Sequence, residues 1–222
     1  MRSIENKTLV KRFTFTILML LIFHLLSFIT IPGVNGKELA KISQVQALQI
    51  LTMFSGGGLS SFSLMSMGLS GFINAQIIIQ ILQNGVVPQL TLWAKSGEVG
   101  RHKLDQCTRA VTLIISFVQS IGITAQINQY AGGQFLAQAN VWTYVVVGML
   151  MTAGTFLAMW IGDQITEKGL GNGTSVIIAF GIITRLPQDA VGLFTENVSR
   201  GKVNWVPVLT AVAITLIIAY IV

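Results

Sequence analysis

Apolar residues occur in six long runs along the chain, and short polar or charged segments separate these runs. Four of the runs contain no Asp, Glu, Lys or Arg and are strong candidates for spanning helices: Phe13–Ile31, Ala110–Ile127, Val141–Ile161 and Val206–Val222. A helix needs about 20 apolar residues to cross a bilayer. The pattern therefore predicts an all-α protein that crosses a membrane several times.

The other two runs, Leu69–Leu92 and Ser175–Phe194, are interrupted by polar residues. The first is interrupted by Asn74, Gln76, Gln80, Gln83 and Asn84, and the second is apolar only as far as Ile183. Because amides are costly against lipid, these helices should face protein or a water-filled cavity. We predict five complete spans after a short N-terminal segment, residues 1–12, and an incomplete sixth span within residues 201–222.

Composition agrees with a membrane protein. The chain has 222 residues, of which 52% are hydrophobic and 10% charged, whereas about 25% are charged in soluble domains. The net charge is +6, but Lys and Arg cluster between the apolar runs without interleaved aromatic residues. This distribution favours positive-inside topology over nucleic-acid binding, and the Lys and Arg count places the N-terminus in the cytoplasm.

Few residues indicate chemistry. No Asp or Glu lies within the uninterrupted apolar part of a predicted span, which argues against a carrier driven by protons or sodium ions. His24 lacks partners at metal-ligand spacing, and Cys107 is the only cysteine, so it forms no internal disulfide. We predict no catalytic residue, no metal site and no cofactor.

The segment "KGLGNGTS" invites a phosphate-loop interpretation because it contains Gly169, Gly171 and Gly173. It has neither the spacing of a dinucleotide-binding loop nor a G-K-[ST] ending. We predict a tight turn instead, with Asn172 and Thr174 capping the helix that follows.

The segment "MFSGGGLSSFSLMSMG", residues 53–68, is too short and too rich in glycine and serine to span a membrane. It follows the first span, so it should lie on the outer side. Its pattern predicts a short helix between glycine joints. Two interpretations stay open: a re-entrant or interfacial helix packed on the bundle, or a movable element that fills a cavity.

Four stretches carry a family resemblance: "IPGVNG", "FSGGGLSSFSLMSMGLSGFINAQIIIQIL", "WAKSGEVGRHKLDQCTR" and "MWIGDQITEKGLGNGTSVII". In this order they resemble SecY, the channel subunit of the Sec protein translocon. The family fold has ten spans in two inverted halves around an hourglass pore. The resemblance assigns residues 13–200 to the N-terminal half, and Gly71 and Thr174 are departures compatible with a divergent or accessory SecY paralogue.

The resemblance also implies site residues. A plug helix would occupy about Met53 to Phe62, with its core at Ser55, Gly56, Gly57, Gly58, Leu59, Ser60 and Ser61. The apolar pore ring would include Ile73, Ile77, Thr174 and Ile178. The second and third spans would form one side of a lateral gate with an amide face of Asn74, Gln76, Gln80 and Gln83. Cytoplasmic partners would contact Arg101, Lys103 and Arg109.

The function implied by the resemblance is a passive protein-conducting channel in the bacterial cell membrane, not an enzyme. It would pass unfolded secretory proteins across the membrane and release membrane segments sideways into lipid. Expected partners are SecE-like and SecG subunits, a SecA motor or a ribosome, signal peptides, nascent secretory chains and lipid, with no direct nucleic-acid contact. The alternative is an inverted-repeat secondary transporter for a small solute, which the plug-like segment and the lack of carboxylates in the spans disfavour.

Overall fold

The computed structural model describes residues 2–35, 62–136, 138 and 140–184. Most of the predicted plug, the second part of the predicted fifth span and the sixth span lie outside these residues. The described helices are α1 (Arg2–Leu26), α2 (Ser70–Ile81), α3 (Pro88–Lys95), α4 (Gly97–Tyr130), α5 (Val141–Lys168) and α6 (Gly173–Thr184). The fold of the described residues is therefore all-helical, apart from two isolated β-bridges.

Three of the described helices, α1, α4 and α5, are long and apolar enough to cross a membrane. Helix α4 begins at Gly97, well before the predicted span start at Ala110, and α5 continues to Lys168, beyond Ile161. The extra turns carry charged residues, which lower hydropathy without preventing helix formation. Hydropathy therefore located the apolar part of α4 and α5 and missed their polar extensions.

The predicted second span, Leu69–Leu92, is divided into two helices that meet at 97°. A π-helical turn, Leu82–Val86, follows α2, and Gly85 within it has a φ of 105°, a conformation that favours glycine. Val87 is extended and precedes Pro88, the first residue of α3. Proline disfavours a helical residue before it and suits the first helical turn, so this pair ends one helix and starts the next.

Helix α4 packs between α2 and α5 through a buried stripe of small polar residues. The stripe repeats every four residues: Thr108, Thr112, Ser116, Ser120, Thr124 and Asn128. Ser120 donates a hydrogen bond to the Gly148 carbonyl of α5 at 3.2 Å, and a Cβ at Gly71 of α2 would clash with Ser116. Small residues at these positions let the helix backbones approach closely.

One end of the bundle, which we call the sealed end, consists of residues 27–35, 62–69 and 131–136 around the last turns of α4. Bridges pair Thr30 with Ser63 and Val34 with Leu136. The rings of Phe62 and Phe135 meet edge to face, with centroids 4.7 Å apart, and both side chains are buried. Phe62, the last residue of the predicted plug, is thus fixed in an apolar core.

The glycine-rich turn between α5 and α6 is a packed connection. Asn172 Oδ1 accepts hydrogen bonds from the backbone N–H groups of Thr174 and Ser175, at 3.1 and 3.4 Å, so its predicted capping role is confirmed. Thr174 does not cap the helix, because its hydroxyl donates to Asn172 Oδ1 instead. Gly173 N–H donates to Thr166 Oγ1 at 2.8 Å, and a side chain at Gly173 would clash with the Gly162 carbonyl.

Candidate functional site

A polar groove, which we call the amide groove, lies between α2 and the first turns of α4. Gln76, Gln80 and Gln83 are spaced by four and three residues, so they share one side of the helix. They line a cavity of about 280 Å³. Its full lining is Gln76, Ile79, Gln80, Gln83, Arg101, Leu104, Asp105 and Thr108. The polar face predicted for the second span therefore lies beside α4.

A second cavity of about 130 Å³, which we call the acidic pocket, adjoins the amide groove. Its lining is Phe72, Gln76, Asp105, Thr108, Arg109, Met159 and Asp163. The two cavities share Gln76, Asp105 and Thr108. The pocket thus combines an apolar wall with two carboxylates and one guanidinium group.

The charged residues of the acidic pocket differ in their contacts. Arg109 Nη2 donates to Asp163 Oδ2 at 2.7 Å, and this ion pair joins α4 to α5. The two side chains are 49% and 42% exposed, so solvent screens their attraction and the pair contributes about 0.2–1 kcal/mol to stability. Among the described residues, Asp105 makes no hydrogen bond or ion pair. Asp105 is exposed, and it lies one helical turn from Arg101 on one side and from Arg109 on the other.

The four amides predicted for the lateral gate fall into two groups. Gln76, Gln80 and Gln83 line the amide groove. Asn74 lies outside it, where its Nδ2 donates to Gln119 Oε1 of α4 at 3.2 Å. Asn74 therefore holds α2 against α4, and the other three leave space between the same two helices.

The predicted pore-ring residues also have different surroundings. Ile73 and Ile178 are partly buried against one apolar cluster, which includes Leu69, Met159 and Ile177. Ile77 is 48% exposed. Thr174 donates its hydroxyl to Asn172. The plug residues Ser55 to Ser61 lie outside the described part of the chain.

Each of the three basic residues predicted to contact cytoplasmic partners has a local contact in the structure. Arg101 lines the amide groove. Lys103 Nζ lies 5.8 Å from the centre of the Trp93 ring, within the range of a cation–π interaction. Arg109 binds Asp163. Arg101 therefore belongs to the amide groove, and Arg109 belongs to the acidic pocket.

Sequence reasoning missed four residues of this region: Asp105, Thr108, Gln119 and Asp163. Asp105 and Asp163 fall in segments that had been assigned to polar connections, although both lie on helices. A readable signal was available for Thr108, because small polar residues recur every fourth position from Thr108 to Asn128. That period is typical of one face of a helix.

Comparison with known proteins relates the chain to one family. The family model described as SecY matches residues 63–222. Protein translocase subunit SecY 2 of Lactobacillus kefiranofaciens subsp. kefiranofaciens is 50% identical over 190 residues, which cover 85% of this chain and 46% of the relative. Protein translocase subunit SecY of Bacillus licheniformis is 41% identical over 222 residues, which cover 100% of this chain and 50% of the relative. The chain thus spans about half the length of the curated relatives it matches.

Two solved structures share the fold. Sec61 in the canine ribosome–channel complex from the endoplasmic reticulum matches with a TM-score of 0.65 and 16% identity, covering 96% of this chain and 47% of that one. A structure described as that of a protein conducting channel matches with a TM-score of 0.64 and 18% identity, again covering 96% and 47%. At these identities the likeness concerns the arrangement of helices.

Proposed function

Because its family model covers residues 63–222, the chain belongs to the SecY family, and we propose that it supplies the N-terminal half of a protein-conducting channel. Through this channel unfolded secretory proteins cross the bacterial cell membrane, and membrane segments leave sideways into lipid. The observation that carries the proposal is the surface of α2, where an exposed isoleucine face adjoins the amide groove. A translocating chain needs both surfaces.

The isoleucine face suits a pore constriction. Ile77, Ile78 and Ile81 are 48%, 42% and 58% exposed, so lipid, the second half of the channel or a substrate can contact them. A narrow apolar ring wets poorly, so it limits ion leak and still lets a moving polypeptide pass without binding it. We assign Ile73, Ile77 and Ile178 to this ring. Thr174 is a weaker member, because its hydroxyl serves Asn172.

The amides suit a lateral gate. A seam of Gln76, Gln80 and Gln83 holds less firmly than an apolar one, because each amide exchanges protein contacts for water at little net cost. Signal peptides would open this seam to reach lipid. The plug, about Met53 to Phe62, would close the pore from outside, with Phe62 as its fixed joint in the sealed end.

The partners follow from the same proposal. SecE-like and SecG subunits would surround the channel, and a SecA motor or a ribosome would drive transport from the cytoplasmic side, where we place the N-terminus. The canine Sec61 match comes from a ribosome–channel complex, which supports a ribosome contact. Arg101 and Lys103 are exposed at this end and are proposed contact points.

The test is crosslinking in the native protein, reconstituted in vesicles with Cys107 replaced by Ser. A stalled secretory chain that carries one cysteine should form a disulfide with Ile77→Cys. The matched control is Val118→Cys, which is 65% exposed on the side of α4 opposite its buried stripe. Equal crosslinking at both positions, or none at Ile77, would overturn the proposed function.

A further inference from the structure

We propose that the contact between Gly71 of α2 and Ser116 of α4 sets the width of the pore constriction. This inference rests on the proposed channel function, in which Ile73 and Ile77 of α2 belong to the apolar ring. Gly71 and Ser116 are both buried, so they would not touch a translocating chain. They would act as positioning residues, because they fix the distance between the helix that carries the ring and its neighbour.

The Ser116 side chain fills the space that a side chain at residue 71 would need. A Cβ at Gly71 would overlap Ser116 Oγ, and it would lie 3.0 Å from Ser116 Cβ and 3.3 Å from Ser116 Cα. Ordinary contacts between carbon atoms lie at about 3.5–4.0 Å. Helix α2 therefore rests directly on Ser116, and the size of that side chain determines how near the two helices lie.

The Ser116 hydroxyl makes this contact without a hydrogen bond. The side chain is 0% exposed, and among the described residues its Oγ has no hydrogen-bond partner. Ser120, one turn later on α4 and equally buried, donates to the carbonyl groups of Phe117 and Gly148, at 2.8 and 3.2 Å. A buried hydroxyl without a partner lowers stability. We therefore assign Ser116 Oγ the role of a spacer between the helices.

The isoleucines of the proposed ring lie across α2 from this spacer. Gly71 and Ala75, four residues apart, are buried on one side of the helix. Ile73 and Ile77 each follow one of these residues by two positions, or about 200° around the helix axis, and Ile77 is 48% exposed. A shift of α2 toward α4 would therefore draw both isoleucines out of the constriction and widen it, whereas a shift away from α4 would narrow it.

Two alanine substitutions one turn apart test the inference in the native protein, reconstituted in vesicles. Ser116→Ala removes the spacer oxygen and lets α2 approach α4, so ion flux past a stalled secretory chain should rise severalfold. The denaturant midpoint of unfolding should stay equal or rise, because an unpaired hydroxyl is lost. The matched control, Ser120→Ala, removes a bonded hydroxyl: its midpoint should fall and its ion flux should stay at the native level. A role in stability alone would not raise the flux in the more stable variant.

An exchange of the two residues shifts α2 in the opposite direction. Gly71→Ala overfills the contact, so the ion flux should fall and the unfolding midpoint should fall with it. Adding Ser116→Gly removes the atoms that the new Cβ would meet, and the double variant should recover the native flux and part of the lost stability. The control is Gly122→Ala on α4, where a Cβ meets nothing within 4 Å and the flux should not change.

The outcomes distinguish this inference from the channel function. If a stalled chain crosslinks to Ile77→Cys but ion flux past it is the same in Ser116→Ala and Ser120→Ala, the spacer role is overturned while the channel function stands. A Gly71→Ala flux that Ser116→Gly does not restore overturns the spacer role in the same way. If the native protein holds no stalled chain and Ile77→Cys captures none, the channel function itself fails, and this inference fails with it.

Discussion

The two ends of helix α4 lie in opposite kinds of surroundings. Near Ile127 the helix enters the sealed end, where Phe62 and Phe135 are 1% and 0% exposed. Near Asp105 it borders two water-accessible cavities and a half-exposed ion pair. At 1.5 Å per residue, these positions are about 33 Å apart. One helix therefore connects a region held by burial to a region held by exchangeable polar contacts.

Contacts at the two ends differ in how much each one contributes to the stability of the protein. Deleting a buried aromatic ring costs about 3–5 kcal/mol, because a cavity remains, whereas a solvent-exposed ion pair contributes about 0.2–1 kcal/mol. The sealed end can thus keep the helices in register while the polar contacts of the groove end break and re-form. Substitutions at the sealed end should therefore lower the free energy of unfolding several times more than substitutions at the groove end.

The largest effect is expected at the sealed end. Phe135→Ala removes a fully buried ring that packs on Phe62 and should lower the free energy of unfolding by about 3–5 kcal/mol. Unfolding of the native protein in detergent micelles measures this change. The matched control is Phe13→Ala, because Phe13 is 57% exposed. A similar decrease in the free energy of unfolding for both variants would show that the sealed end is no better packed than the exposed surface around Phe13.

The next effect concerns close packing of α5 against the segment that precedes α2. A Cβ at Gly154 would overlap the Leu64 carbonyl group, so Gly154→Ala should destabilise the protein by about 1–3 kcal/mol, as overpacking does. Gly122→Ala is the control, since a Cβ there meets nothing within 4 Å and alanine favours a helix by about 1 kcal/mol. We expect Gly154→Ala to lower the free energy of unfolding and Gly122→Ala to raise it. A change of the same sign in both variants would contradict the close contact at Gly154.

The third prediction concerns a double substitution that makes the groove end more apolar, as the sealed end is. Replacing Asn74 and Gln80 with Leu removes the bond to Gln119 and one amide of the groove. We expect a tighter gate, with export of precursors that carry weak signal sequences reduced severalfold more than export of those with strong ones. The control is Gln129→Leu, an exposed amide at the far end of α4. Unchanged export of both precursor types would refute a gating role for these amides.

The sequence predicted the sealed end and the groove end unequally well. Apolar runs located α4 and α5 because membrane spans are set by hydropathy over about 20 residues. The same averaging hid the break at Gly85, although Asn84–Gly85 and Val87–Pro88 are local signals of a turn. The amide spacing predicted one polar side of α2. Its partner surface was missed because Asp105 lies on a charged helix extension that hydropathy does not detect.

The smallest effect tests the groove end directly. A double-mutant cycle of Arg109→Gln and Asp163→Asn should give a coupling energy of about 0.2–1 kcal/mol, because both side chains are about half exposed. Screening shortens the reach of exposed charges to about 3 Å in 1 M salt, so the coupling should fall when unfolding is measured there. A salt-independent coupling of more than about 2 kcal/mol would mean that the pair is desolvated in the membrane. The groove end would then be held as firmly as the sealed end, and the polar contacts there would be structural.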